Sequence, residues 1–462
     1  MYRNALYYPL VMLFLMAVLF GACQKEDSVV TEGNWLDYSC DTMAFDTVFT
    51  QMGTTTRQLM VYNRNDFDVK MRYVTLAGGR SSRFRLNVDG DTSLVAEDVR
   101  IAAGDSIFVF VRANINPNSQ TEPFLIEDRI VFDFGGRQES IPLTAYGRNA
   151  VYHIPTDTLR DASGKPLING MYGKPYAYSV IDCDGWRHDL PHVVLGYAVV
   201  DSRNTLQLQA GDEIYFADDA VLWVFDSATL VARGTAEQPV LFTSIRHDGW
   251  YDYLPGQWGH IWLYGGSRDN VIEHAVIENG FIGLLVDTNI NGNPTLDISN
   301  SEIRNHTQAG IQSNSAYIVG DNLLVTNCGV STLLLRYGGE YRFANSTFAN
   351  YWRYETRKFP SVLITNYRTY ANYLYLYGMH VRFDDCIIYG SMANELIADY
   401  DTTVSATLVL NHTLVKGGEW DEDPKFVDVA NGDYRLKEGS PALGIGYTYP
   451  DAEAPNDKKI IR

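Results

Sequence analysis

Two stretches of this 462-residue chain combine residue types that suit binding chemistry. Arg246-His247-Asp248-Gly249-Trp250-Tyr251-Asp252-Tyr253 sets aromatic rings beside carboxylates. Tyr351 to Tyr377 carries Tyr351, Trp352, Arg353, Tyr354, Glu355, Arg357 and Lys358, then Tyr367, Tyr370, Tyr373, Tyr375 and Tyr377. The last three alternate, which places them on one face of a strand. A sugar lays its apolar CH face on an aromatic ring and offers its hydroxyls to charged and amide groups. Trp250, Asp252, Tyr253, Trp352, Arg353, Tyr373, Tyr375 and Tyr377 are therefore candidate glycan-binding residues, together with Arg336 and Glu340 after a neighbouring strand.

Catalysis asks for more. Lysis of acidic sugars needs carboxylates that hold Ca²⁺ and an Arg or Lys base. Hydrolysis needs two carboxylates flanking the bond. Asp248 with Asp252, and Glu340 with Glu355, lie close in sequence, and Arg336 and Glu340 follow Asp287 by about two repeats, but no motif supports any pairing. No catalytic residue is assigned; no cofactor is required, and Ca²⁺ enters only for a lyase. Cys40, Cys183, Cys328 and Cys386 share no CxxC spacing, so no metal site is expected. A net charge of −19 argues against a nucleic-acid partner.

The elements that would carry these residues are written in a repeat. Ile272-x-His274-x-x-Ile277 recurs as Ile298-x-Asn300-Ser301-x-Ile303, Gly320-x-Asn322-x-x-Val325, Phe343-x-Asn345-Ser346-x-Phe348, Phe383-x-Asp385-Cys386-x-Ile388 and Val409-x-Asn411-His412-x-Leu414. About 22 residues make one coil of a three-faced parallel β-helix. The apolar positions stack inward. His274, Asn300, Asn322, Asn345, Asp385 and Asn411 form a structural corner ladder, since Asn tolerates left-handed geometry and bonds its neighbours. The step from Asn345 to Asp385 is 40 residues, so the Tyr351–Tyr377 stretch is an insertion.

The run Leu206-Gln207-Leu208-Gln209-Ala210-Gly211-Asp212, then Pro239-Val240-Leu241-Phe242-Thr243-Ser244 and Gly256-Gln257-Trp258-Gly259, resembles the opening coils of right-handed parallel β-helix proteins of the pectate-lyase-like superfold. Asp423-Pro424-Lys425-Phe426-Val427-Asp428 to Gly439-Ser440-Pro441-Ala442-Leu443 resembles their closing segment. That superfold includes lyases, hydrolases, epimerases and adhesins, so it implies a polysaccharide lyase or glycoside hydrolase if the chain is an enzyme, and otherwise a structural or adhesive protein.

Short alternating strands between turns occupy 40–150 and predict a β-sandwich. Phe84-Arg85-Leu86, Gly104-Asp105-Ser106 and Leu143-Thr144-Ala145-Tyr146-Gly147 resemble the immunoglobulin-type sandwiches of the ASPM–SPD-2–Hydin class, modules that mostly bind or space. At the N-terminus, Arg3 precedes an apolar stretch too short to span a bilayer. The stretch ends in Leu19-Phe20-Gly21-Ala22-Cys23, which resembles the lipobox of bacterial lipoproteins. Gln24-Lys25-Glu26-Asp27 resembles the export signal of surface-displayed lipoproteins. The resemblance implies acylation of Cys23 and an outer-membrane lipoprotein facing the exterior.

The expected fold class is all-β: a signal peptide at 1–22, a linker at 23–39, a sandwich at 40–150, a transition or N-terminal cap at 151–205, a right-handed parallel β-helix at 206–446 and a tail at 447–462. The expected partners are a polysaccharide or host glycan and, through acyl chains, the outer membrane; a monomer is expected.

Overall fold

A computed structural model describes residues 36–53, 56–246, 249–288 and 292–450. The leader, Cys23, Gln24 to Asp27 and the end of the tail lie outside the described residues. The chain divides into two compact units, Met1–Arg148 and Asn149–Arg462. The described residues form no α-helix, and the all-β expectation holds.

The first unit is a sandwich. One sheet pairs Asp37–Tyr38, Arg57–Tyr62, Ser106–Ala113 and Phe84–Val88 in that order. The other pairs Met43–Phe49, Gln138–Arg148, Phe124–Asp133, Val69–Leu76 and Val95–Ile101. Alternation decides what is inside: Leu59, Val61, Met71, Val109, Val111, Phe132 and Leu143 are buried between the sheets. Asn63, buried at the edge, donates from Nδ2 to the carbonyls of Phe67, Ile101 and Ala102, so the turn after Arg57–Tyr62 leaves no orphan amide there.

The second unit is a parallel β-helix with three strand faces. The first face runs through Thr229–Arg233, Asn270–Glu273, 296–299, 317–321, Gly339–Ala344, Met379–Asp384 and Ala406–Asn411. The second face runs through Glu213–Phe216, Val240–Ser244, Ala275–Glu278, 301–306, 323–328, Thr347–Asn350, Ile387–Gly390 and Leu414–Val415. The third runs from Tyr197–Val200 through His260–Leu263, Ile282–Val286, Ala309–Asn314 and Ser331–Arg336 to Val362–Thr365 and Leu396–Asp399.

Parallel register stacks like on like. Ile277, Ile303, Val325, Phe348, Ile388 and Val415 follow one another up the second face, and all are buried. Burial of each such side chain stabilises the fold by about 1.5–3 kcal/mol. Gly320 in the first face makes room for its neighbour, since a Cβ there would meet the Phe343 ring at 2.6 Å.

The corner between the first and second faces explains the Asn and Ser of the repeat. His274, Asn300, Asn322, Asn345 and Asp385 all have φ near +50°, a left-handed bend that Asn and Asp tolerate best among residues with a Cβ. The bend turns main-chain amides away from the ladder. The following hydroxyl fills the gap: Ser301 accepts from Ala275 N at 3.0 Å, and Ser346 accepts from Leu323 N at 3.0 Å. The last rung differs from the sequence expectation. Asn411 pairs with Asp384 inside the strand, and the left-handed residue above Asp385 is His412, with φ 45° and Nδ1 at 2.6 Å from Asp385 Oδ1. The amide ladder is also partial, because Asn322 donates to Asn300 Oδ1 at 2.9 Å whereas Asn345 turns to Asp321 Oδ1.

The helix starts earlier than the repeat does. Val151–His153 pairs in parallel with His192–Val194, which pairs with Glu213–Phe216, and Ala177–Val180 pairs in parallel with Tyr197–Val200. All of these strands but Glu213–Phe216 lie in the stretch read from the sequence as a transition or cap, 151–205. Leu159, Tyr172 and Tyr176 of that stretch pack on the outer side of the third face against Tyr197 and Trp223.

Candidate functional site

The outer side of the second face is where chain and solvent meet unequally. From Leu324 onward it is covered: Leu324, Ala349, Ile387 and Leu414 pack under Phe426, Tyr434, Ala442 and Ile445 of the closing segment. The segment is latched by Tyr447 N to Thr347 Oγ1 at 3.0 Å and Thr448 N to Asn322 Oδ1 at 2.7 Å. The preceding coils are left open, and their outward residues form the floor of a groove of about 1340 Å³.

Register sets that floor. Val276 stands opposite Glu302 and Glu302 opposite Leu324; Glu278 stands opposite Arg304 and Arg304 opposite Thr326. Arg304 lies between two carboxylates: Nη2 is 2.8 Å from Glu278 Oε2, and Nη1 is 2.6 Å from Glu302 Oε2. Burial disfavours its charge, but Glu278 and Glu302 outweigh that and raise its pKa further. Tyr447 Oη donates to Glu302 Oε1 at 3.4 Å; burial, and then the Glu302 charge, push this phenol upward. Tyr449, Asp433 and Arg435 continue the same wall, the last two as an ion pair.

The opposite wall comes from loops at the corner between the second and third faces. That corner also holds left-handed asparagines, at Asn279, Asn305 and Asn327. Asn279 Nδ2 donates to the Asp252 carbonyl at 2.9 Å, and Asn305 Nδ2 donates to the Tyr253 carbonyl at 2.8 Å. The backbone requirement of the corner thus places amides that hold the 251–253 loop. Tyr354 Oη donates to the same Tyr253 carbonyl at 2.6 Å, so the two loops meet. Trp352 and Tyr354 pack with ring centroids 4.9 Å apart. Beneath them Arg357 is buried against Glu395 through two 2.7 Å bonds and fixes the path of the loop.

Asp252, Tyr253, Trp352 and Arg353 therefore line one groove, and His274 and Asn300 of the corner ladder share it. The side chain of Trp250 lies outside the described residues. Five other candidates are elsewhere. The Tyr351–Tyr377 stretch holds a loop at 351–361 and a hairpin of Tyr367–Tyr370 with Tyr373–Leu376, at two different corners with the third-face strand Val362–Thr365 between them. Tyr373, Tyr375 and Tyr377 belong to or follow that hairpin, at the corner between the third and first faces. Arg336 ends a third-face strand and donates to Asn314 Oδ1. Glu340 is held by Arg342 in the first face. Asp287 reaches Arg336 only through Asn314, to whose Nδ2 it is bonded at 2.8 Å.

Sequence reasoning missed Glu278, Glu302, Arg304, Tyr447 and Tyr449. The signal was available for three of them: Glu302-x-Arg304 lies at outward positions one coil, 26 residues, after Val276-x-Glu278, although no acid column recurs. The tyrosines join the site only because the closing segment folds back.

The groove supplies rings along one side, a charged floor and hydroxyls and amides around its rim. One guanidinium engages both floor carboxylates. Among the described residues no group of three or more His, Cys, Asp or Glu is placed to hold a metal ion. Cys328 and Cys386 are free, buried thiols pushed up to about 12 by burial, so neither is a nucleophile here.

Comparison with family models finds no match, and comparison with curated protein sequences finds none. Among solved structures, the chain is similar to a family 123 glycoside hydrolase from Clostridium perfringens at 13% identity and TM-score 0.19, over 26% of this chain and 25% of that one. It is similar to the catalytic unit of a thermostable α-1,3-glucanase from Streptomyces thermodiastaticus at 11% identity and TM-score 0.20, over 77% and 61% of the two chains. It is also similar to the VesB protease of Vibrio cholerae at 12% identity and TM-score 0.17, over 25% and 32%. The chain thus spans a quarter of the length of the first and under two thirds of the others. Likeness at these TM-scores bears on neither fold nor activity.

Proposed function

We propose that this chain is a surface lipoprotein, anchored by acylated Cys23 in the outer membrane and facing the exterior, that binds a polysaccharide segment in the groove on the second face. The N-terminal sandwich, of the ASPM–SPD-2–Hydin type, serves as a spacer. The observation that carries the binding reading is that Tyr253, Trp352 and Tyr354 on one side and Glu278, Arg304 and Glu302 on the floor line one groove. Rings give the sugar a stacking plane, and the charged floor and rim asparagines give its hydroxyls partners. A glycan array probed with the full chain in detergent tests this. Binding to a hydroxyl-rich glycan that weakens at least tenfold in Trp352→Ala and Tyr253→Ala supports it; no hit among plant and host glycans overturns it.

Binding without turnover is the version favoured by Arg304, which occupies both floor carboxylates. Processing of the bound glycan is the second version, favoured by the presence of two carboxylates on adjoining coils. Incubation of any glycan that binds, with and without Ca²⁺, separates them: new reducing or unsaturated ends that vanish in Glu302→Gln assign an enzyme, and their absence assigns a binder.

A further inference from the structure

The hairpin at the corner between the third and first faces has a different chemistry from the groove. Its turn residues Ala371 and Asn372 have φ of 47° and 66°. Two successive left-handed residues make the tight, strongly twisted turn of a two-residue hairpin. Cross-strand register pairs Arg368 with Tyr375 and Tyr370 with Tyr373, so these four side chains share one face. The three tyrosines are 62, 70 and 46% exposed for Tyr370, Tyr373 and Tyr375. The other face is tied down where Tyr367 Oη donates to Asp399.

At the base of the exposed face two cations surround one ring. The Arg336 guanidinium lies 5.1 Å from the Tyr337 centroid, and that of Arg368 lies 5.6 Å from it and 5.4 Å from Tyr370. Arg336 uses Nε and Nη2 on Asn314 Oδ1 and meets no carboxylate among the described residues. The Arg368 guanidinium has no hydrogen bond or ion pair among the described residues. The neighbouring arginines differ: Arg342 is paired with Glu340, Arg382 with Asp384, Arg304 with Glu278 and Glu302, and Arg357 with Glu395. In a chain of net charge −19, two arginines without an acid partner beside three exposed rings make a local cationic, aromatic surface. A guanidinium stacked on an aromatic face keeps its edge N–H groups free for a planar carboxylate.

From this we infer that the Arg336–Tyr337–Arg368 cluster and the hairpin tyrosines form a second binding surface, selective for carboxylate-bearing sugars. The uronate carboxylate meets the arginines, and the pyranose ring lies on Tyr370, Tyr373 or Tyr375. This surface does not depend on the groove.

The test compares oligosaccharides of polygalacturonate, alginate and hyaluronate with methyl-esterified polygalacturonate and with dextran sulfate, using the full chain in detergent and calorimetry at two salt concentrations. At least one uronate should bind, with at least tenfold weaker binding to its ester or to the sulfated polymer. Arg368→Ala and Arg336→Ala should each weaken uronate binding at least fivefold, and Tyr373→Ala several-fold. Trp352→Ala in the groove should leave it unchanged, which keeps a failure here distinct from a failure of the groove. Absence of binding to all three uronates, equal binding to the ester, stronger binding to dextran sulfate, or indifference to both arginine substitutions overturns the inference.

Discussion

The Tyr354 hydroxyl donates a 2.6 Å hydrogen bond to the main-chain carbonyl of Tyr253, a residue 101 positions earlier in the chain. The same carbonyl accepts from Asn305 Nδ2 at 2.8 Å. Loops from separate coils are thereby joined over the coils between them, and the aromatic rim of the groove is built from both.

Tyr354→Phe keeps the ring against Trp352 and removes only this bond. Both loops are solvated there, so the loss should not exceed about 1 kcal/mol of stability. The rim, in contrast, loses its tie. Hydrogen exchange at residues 251–254 should accelerate, and affinity for the groove ligand should fall severalfold while the melting temperature stays nearly constant. A melting temperature that falls as far as the affinity would show that the bond supports the fold and not the site.

The corner predicts unequal losses from two small residues at one position. Asn322 has φ 51° and bonds Asn300 and Thr448. Asn322→Gly loses the side-chain bonds but keeps the backbone at ease. Asn322→Ala loses the same bonds and adds the left-handed penalty of about 1–2 kcal/mol. Urea unfolding should rank the variants wild type, Gly, Ala. An Ala variant as stable as the Gly variant would sink the left-handed explanation of the ladder.

That position also shows how far the sequence could be read. The requirement for left-handed geometry repeats once per coil, and stacking forces the same demand at the same place, so Asn300, Asn322 and Asn345 were legible as corners. At Asn411-His412 two adjacent residues both tolerate the bend, and only the pairing of Asp384 with Asn411 decides between them. The helix start was hidden because Val151–His153 and His192–Val194 are a parallel pair separated by a long excursion without corner asparagines. The groove was hidden because its second wall depends on Thr448 meeting Asn322, a contact across 126 residues that no local pattern encodes.

Arg357 and Glu395 pair with both side chains almost fully buried, at 2% and 0% exposure. Glu395 also accepts from Ser361 N and Met392 N. Arg357→Met would leave that carboxylate buried without its cation, and the cost should be about 3–5 kcal/mol. The double variant Arg357→Met/Glu395→Gln removes both charges and should recover part of the loss. Urea midpoints of the two single variants and the double variant give the coupling. Additive effects would mean that the pair does not position the 351–361 loop.

Acid should weaken the second unit before its carboxylates titrate. Burial pushes His153 and His306 down to about 4 and His192 and His260 to about 3. The bonding at His306 shows why the neutral form is required. Its Nδ1 accepts from Gly280 N at 3.1 Å while Nε2 donates to the Ile277 carbonyl at 3.2 Å, so a proton on Nδ1 would set donor against donor. His192 is held likewise, with Nε2 on the Arg187 carbonyl at 2.7 Å and Nδ1 on His153 Nε2 at 2.9 Å. An unfolded histidine titrates near about 6.5. Between that pH and the depressed folded values the unfolded chain binds protons that the folded chain refuses, so stability falls as pH falls. Each fully buried histidine contributes a slope of at most about 1.4 kcal/mol per pH unit in that window. Urea midpoints measured from pH 7.5 to 4.5 should be level above about pH 7 and decline steadily below about 6.5, with a shallower decline in His260→Gln. A midpoint that stays level down to pH 5 would mean that these imidazoles take up protons without cost, which their hydrogen bonds forbid.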